Sequence, residues 1–238
     1  MSSLSLPRIA IALGCSSPSR LLEQARREAE AGESLLEFRL DYLERPAQGV
    51  RVLQEFLAEN PDCIVVATCR RRQNHGLFDG SIDEQLRLLD AAVAAGARAV
   101  DIEIETAEAA GTAVAAFRGR AWVVISYHNF ESTPSLEPIF RRLARTPADI
   151  YKLVTTARKP SDNYRVLAFA RAHARVPLIV IAMGEMGFPS RVLGTVFGSR
   201  YTYAAPAGSE GTAAGQVAAR QLRHVYRIEK LSRASKIS

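Results

Sequence analysis

A single-domain α/β fold, a (β/α)8 TIM barrel spanning residues 1–238, is predicted by three features of the chain. Eight short apolar, β-branched runs alternate with stretches whose apolar residues recur at helical spacing. Successive runs start roughly 22 to 36 residues apart, which suits one β-loop-α-loop unit each. Several runs also carry charged residues on a single side-chain parity. A sheet covered on both faces must pair such charges or gather them into a site. No linker, low-complexity segment or composition break divides the chain. The alternative, an open doubly wound sheet, lacks its Gly-rich phosphate turn: Gly14-Cys15-Ser16-Ser17-Pro18 follows the first strand.

The elements follow in order. The first strand is expected over 8–13 and the first helix over 19–31, where Gly32 supplies the left-handed position at its end. Next come a strand over 35–40, a helix over 50–59 and a strand over 63–68. The helix over 82–95 begins at Ser81, has Glu84 three residues on as a capping box, and ends at Gly96. Strands over 99–104 and 121–127 precede a helix over 136–144 and a strand over 149–154. Ser161 is the expected N-cap of a helix over 161–174. Strands over 178–183 and 201–204 lead to a last helix over 216–229 and a short flexible tail at about 231–238.

Composition narrows the function classes. At 47% hydrophobic and 24% charged residues the chain has enough apolar material for a full core. The N-terminal residues lack a basic n-region, and Pro7 and Arg8 interrupt their apolar stretch, so no secretory signal is expected; nor is a membrane span. Cys15, Cys63 and Cys69 have neither disulfide nor zinc spacing, and a reducing cytoplasm is the expected compartment. The net charge of +6 is scattered, with no basic run longer than Arg70-Arg71-Arg72 and no interleaved aromatics. A small acidic substrate suits it better than nucleic acid.

The strand faces point to chemistry. Glu37, Arg39 and Asp41 share one parity; so do Asp101, Glu103 and Glu105; so do Val124, Ser126 and His128; and so do Ile150, Lys152 and Val154. In a barrel, Glu37, Arg39, Arg70, Glu103, His128, Lys152 and Met183 would lie at strand C-terminal ends, around the active-site mouth. Lys152 stands alone in an apolar run. Burial disfavours a charged amine, and a neutral one is a nucleophile that forms a Schiff base with a carbonyl. His128, on the preceding strand, is suited to move the proton that an iminium acidifies. The pair fits a β-elimination or an aldol-type reaction; a non-catalytic binding barrel is the remaining alternative. Arg39, Arg70 and Arg191 suit a carboxylate, or else salt bridges to Glu37, Asp41 or Glu103. No metal or other cofactor is called for.

Several short stretches carry a resemblance in their order and spacing. They are Glu37-Phe38-Arg39-Leu40-Asp41, Thr68-Cys69-Arg70, Val100-Asp101-Ile102-Glu103, Ser126-Tyr127-His128 and Ala148-Asp149-Ile150-Tyr151-Lys152. Further on come Met183-Gly184, Ser190-Arg191, Phe197-Gly198-Ser199 and Gly215-Gln216. Over nearly its whole length the chain resembles the type I 3-dehydroquinate dehydratases. The resemblance implies a homodimeric barrel of the shikimate pathway to aromatic compounds. It implies that Lys152 forms an imine with the C3 ketone of 3-dehydroquinate. His128 would take a C2 proton and then protonate the departing C1 hydroxyl, releasing water and 3-dehydroshikimate. Glu37, Arg39 and Arg70 would hold substrate hydroxyls, and Arg191 the carboxylate. Met183 and Tyr203 would pack the ring, with Tyr203 where the family usually has phenylalanine. Gln216 and the backbone of Thr212 and Ala213 match a closing loop, and 206–215, rich in small residues, reads as its mobile lid. Three departures stand out: Asn74 replaces a glutamate that would orient the histidine, Asn129 an aspartate, and Ala214 a proline. His75 reads as a loop residue.

Overall fold

The structure, a computed structural model, describes residues 6–208, 211–232 and 234–235. Among them are eight strands: β1 (Ile9–Leu13), β2 (Leu35–Arg39), β3 (Ile64–Thr68), β4 (Ala99–Glu103), β5 (Trp122–His128), β6 (Ile150–Thr156), β7 (Leu178–Met183) and β8 (Thr202–Ala204). Every strand pair is parallel, in the order β7-β6-β5-β4-β3-β2-β1-β8. This is the expected (β/α)8 barrel. Its helices are α1 (Pro18–Glu30), α2 (Gln48–Glu59), α3 (Ile82–Ala94), α4 (Ile104–Ala109), α5 (Gly111–Ala115), α6 (Leu136–Leu143), α7 (Ser161–Ala172), α8 (Phe188–Phe197) and α9 (Ala219–His224). No described helix is long and apolar enough to cross a membrane.

The seam between β7 and β8 closes by other means than a full ladder. One bridge joins Leu178 to Ser199, Arg200 N donates to Leu178 O at 2.7 Å, and the Ser199 hydroxyl accepts from Val180 N at 3.1 Å. The preceding residue, Gly198, holds φ at 122°, and a Cβ there would lie 2.7 Å from Ala170 O. Gly198→Ala should therefore cost about 1–3 kcal/mol through strain and contact. A thermal melt with an unchanged midpoint would show that the seam tolerates it.

Inside the barrel, side chains stack in layers drawn from alternate strands. The even strands supply Leu35, Ala99, Ile150 and Tyr201 to an apolar floor, all buried in one cluster with Val66, Val124 and Ile179 of the odd strands. Two residues further along each even strand stand Glu37, Asp101, Lys152 and Tyr203. The period of two thus lifts the chain from a dry floor directly into a polar layer. The outer faces pack Leu36, Phe38, Val100, Ile102, Ile125 and Leu153 under the helices, in one large core with residues such as Leu53, Phe56, Leu89 and Val166.

Several expectations need correction. Ser161 does not cap α7: Pro160 holds the cap position, and Asp162 accepts from Arg158 N and Lys159 N at 2.9 and 3.2 Å instead. The last helix spans Ala219–His224 and not 216–229, because Gln216 is held in the preceding turn and Arg227 has φ 49°. Helices α4, α5 and α8 had no clear apolar stripe in the sequence. In α8 the buried residues are Ser190, Arg191, Val192 and Gly194: Arg191 faces the cavity described below, Ser190 bonds to the Ala182 backbone of β7, and Gly194 packs beside Ser199. The Ser81 capping box and the positive φ of Gly32 and Gly96 are as expected. Of the tail, residues 233 and 236–238 lie outside the described residues.

Candidate active site

A cavity of about 550 Å³, counted to its open mouth, lies at the C-terminal ends of the strands. Of the twelve residues that the sequence places at the site, eleven line it and Glu103 does not. Glu37, Arg39, Arg70, His128, Lys152 and Met183 reach it from the strands or their ends, and Arg191 from α8. Tyr203 comes from β8, and Thr212, Ala213 and Gln216 from the loop before α9. Glu103 is turned away from the cavity. It accepts from Arg71 N at 2.8 Å and Gln85 Nε2 at 2.7 Å, bracing the loop after β3.

Lys152 sits deeper than expected. β6 continues to Thr156, so the lysine is the third residue of the strand, 4% exposed, and not at its end. Its amine is also not solitary: Nζ donates to Asp101 Oδ2 at 2.8 Å and to Tyr203 Oη at 3.0 Å, and lies 3.7 Å from Glu37 Oε1. Asp101 is the hub of this layer. Its Oδ1 accepts from Arg70 Nη2 at 2.9 Å and from the Ser126 hydroxyl at 2.6 Å, and that hydroxyl in turn accepts from Arg70 Nη1 at 2.9 Å. Burial alone would raise the Asp101 carboxyl, but the Arg70 and Lys152 charges outweigh it and hold the group far below the ordinary carboxylate range.

The four cations of the cavity differ. Arg39 forms a two-pronged pair with Asp41, Nε to Oδ1 at 2.9 Å and Nη2 to Oδ2 at 2.8 Å. Burial works against its charge, and Asp41 more than offsets that. Arg70 and Lys152 share Asp101. Arg191, 1% exposed, has no carboxylate partner among the described residues. Its Nη2 donates to Ala214 O at 3.0 Å, its Nε is enclosed and unpartnered, and burial pulls it down to about 10. The start of α8 places it: the Ser190 hydroxyl accepts from Ala182 N of β7 at 2.9 Å, and Asn163 of α7 accepts from Ser190 N at 3.1 Å.

His128 ends β5. Its Nδ1 is enclosed without a partner. Burial, then the Arg70 and Lys152 charges, hold the imidazole well below its usual range, against the opposing pull of Asp101. The ring is therefore neutral at pH 7. Asn74 donates to Glu105 Oε2 at 2.9 Å, which leaves its own Oδ1 enclosed and unpartnered on the same cavity wall. Asn129 closes the turn after β5, accepting from Glu131 N and Ser132 N at 2.9 and 2.8 Å, as an aspartate would. Ala214 O accepts from Gly184 N at 3.2 Å as well as from Arg191. The loop before α9 is tied by Thr212 N donating to Gln216 Oε1 at 2.8 Å, and it seats on Gly14, where a Cβ would lie 2.8 Å from Thr212 Cγ2. Residues 209–210 of the expected lid lie outside the described residues.

The model of the family described as Type I 3-dehydroquinase matches residues 9–233. The chain belongs to that family. Relatives in the type I 3-dehydroquinase family include a 3-dehydroquinate dehydratase of Dehalococcoides mccartyi, 35% identical over 216 residues, covering 90% of this chain and 94% of its own. Another, from Desulfotalea psychrophila, is 34% identical and covers 92% and 96%. The crystal structure of 3-dehydroquinate dehydratase from Geobacillus kaustophilus superposes with a TM-score of 0.83 at 26% identity, covering 94% of this chain and 91% of that one.

Against this type I 3-dehydroquinase background, sequence reasoning left out four residues that line the cavity, and the role of Asp101 beneath them. Asp101 stood on the same parity as Glu103 and Glu105, but its role depends on strand register, which pairs it with Val124 and sets Ser126 beside Lys152. Phe130, Val154 and Ile181 line the wall, each two residues from a residue already singled out. His75, read as a loop residue, also lines it: held at φ 58°, its ring lies 4.0 Å from that of Phe130. Among the described residues no three His, Cys, Asp or Glu side chains converge as a metal set would.

Proposed function

We propose that this cavity dehydrates 3-dehydroquinate to 3-dehydroshikimate in the shikimate pathway, through an imine on Lys152 with His128 as general base and acid. The observation that carries the reading is a buried primary amine at the centre of the barrel with a neutral imidazole two residues beyond its register partner, since Lys152 pairs with Ser126 on β5. The amine captures the C3 ketone, and the iminium draws electrons from C2. His128 removes the C2 proton, and the C–H pair forms C2=C3 as the C=N pair moves onto the Lys152 nitrogen. The resulting enamine expels the C1 hydroxyl with the proton returned by the imidazolium, and water hydrolyses the conjugated iminium to free the product ketone and the Lys152 amine. Arg191, the cation lacking an anion, takes the substrate carboxylate. Glu37, Arg39 and Arg70 hold the hydroxyls, Met183 and Tyr203 pack the ring, and Thr212, Ala213 and Gln216 close over it.

The working form in this reading is a homodimer of single-domain chains in the cytoplasm, a compartment that suits three free, buried cysteines. The test is an ultraviolet assay for the conjugated enone product, coupled to borohydride reduction of the working enzyme. A trapped adduct on the peptide bearing Lys152 is expected. Enone formation without such an adduct would defeat the imine.

The His128 assignment has its own signature. A base must be deprotonated, so activity falls as the pH drops through its pKa. That limb should lie below the ordinary imidazole value here. Asn74→Glu adds a carboxylate to the wall His128 shares, and a nearby carboxylate favours the imidazolium. The acid limb of kcat/KM should then move up by about one pH unit. A limb that stays in place would remove His128 as the titrating base.

A further inference from the structure

Lys152 must shed a proton before its nitrogen can attack a carbonyl, and its nearest carboxylate is a poor acceptor. Asp101, engaged by Arg70, Ser126 and Lys152 together, is held far below the ordinary carboxylate range, so it binds a proton badly. It serves as a fixed counter-ion.

A second group touches the same nitrogen. Tyr203 Oη accepts from Nζ at 3.0 Å, and Nζ lies 4.3 Å from the centre of the tyrosine ring. Burial first, then Glu37, pushes this hydroxyl well above the ordinary phenol range, so it keeps its proton. Two acceptors lie within reach of that proton, Glu37 Oε1 and Tyr201 Oη, both at 3.5 Å. Only Glu37 is a carboxylate, and the same Oε1 is 3.7 Å from Nζ. Amine, phenol and carboxylate thus form a short chain within one layer of the barrel, contributed by β6, β8 and β2.

We propose that Tyr203 is a catalytic residue that relays the Lys152 ammonium proton to Glu37 at the start of imine formation, from which Glu37 later passes it to the departing hydroxyl. The inference rests on Lys152 being the imine-forming group. In the first step one proton moves from Nζ to Oη while the phenol proton moves to Glu37 Oε1. Amine, phenol and carboxyl are then all neutral. The amine lone pair forms the C–N bond, and the ketone π pair moves to oxygen. One N–H proton passes to that oxygen and gives a carbinolamine hydroxyl. Glu37 returns its proton to this hydroxyl, the C–O bond breaks, water departs, and the nitrogen lone pair closes the iminium. Ammonium and ketone have become iminium and water, and Glu37 is again a carboxylate. The hydroxyl speeds a step that can proceed, more slowly, without it.

The test is Tyr203→Phe, which keeps the ring and removes only the relay atom. Purified variant and parent are mixed with excess 3-dehydroquinate, quenched with borohydride at set times, and the adduct on Lys152 is measured by mass. Imine should appear at least about tenfold more slowly in the variant, toward the lower end of what positioned proton transfer contributes. The ring remains, so substrate affinity should not change, and the variant should stay folded after losing one buried hydrogen bond. Glu37→Gln should slow imine appearance as well, and the double variant should be no slower than the slower single, because both break one chain. Imine appearing at the parent rate in Tyr203→Phe would overturn the relay, as would losses that multiply in the double variant. If the parent itself yields no adduct, the Lys152 reading falls instead, so the two failures are distinguishable.

Discussion

Lys152→Ala should lower turnover of 3-dehydroquinate by at least about 10⁴-fold, because the variant has no amine with which to convert the ketone into an electron sink. Borohydride should then trap nothing, while equilibrium binding of the product should persist through Arg191, Arg39 and the wall of the cavity. The substitution also removes one of the two cations on Asp101. The other, Arg70, stays in place at 2.9 Å, so the loss of stability should fall below the 3–5 kcal/mol typical of breaking a buried pair outright. Lys152→Met, which restores most of the volume, separates the two effects: it should recover the melting temperature and none of the turnover. Turnover within tenfold of the parent in either variant would end the imine mechanism.

His128→Ala is expected to slow turnover by about 10²–10⁴-fold, the usual contribution of a positioned acid–base group, without preventing capture of the ketone. The borohydride adduct should therefore still form on Lys152 and should accumulate, because the step that consumes it is blocked. The fold should tolerate the change. The imidazole Nδ1 makes no hydrogen bond that could be lost, and the neutral ring forms no ion pair. Near-normal turnover, or loss of the adduct together with turnover, would show that His128 does not act in the assigned step.

The barrel was legible because a period of two stood out wherever charge interrupted it. Glu37 and Arg39, Asp101 and Glu103, and Lys152 between Ile150 and Val154 each break an apolar strand on one parity only. What stayed hidden depended on relations between strands. Nothing local to β4 says that Asp101 will be shared by Arg70 and Lys152, because that needs the β3–β4–β5–β6 register. The depth of Lys152 was misjudged for a related reason. The residues after Val154 are Thr155 and Thr156, polar enough to resemble a loop, yet Thr155 is buried and its hydroxyl lies 3.0 Å from that of Thr133. α8 escaped notice because its buried side interrupts the apolar stripe with Ser190, which bonds to the β7 backbone, and Arg191, which faces the cavity. His75 looked like loop filler because a left-handed turn position reveals nothing of which way its side chain projects.

The solitary state of Arg191 has a practical corollary. Arg39 is paired with Asp41, and Arg70 and Lys152 with Asp101, whereas Arg191 has no carboxylate partner among the described residues and stands ready for an anion. Chloride, phosphate and citrate from the buffer will compete for this guanidinium, and apparent Michaelis constants will rise with their concentration rather than with ionic strength alone. Kinetic comparisons between variants therefore belong in a zwitterionic buffer of low salt, and a small rigid dicarboxylate should make a better starting inhibitor than a neutral sugar mimic of the same size.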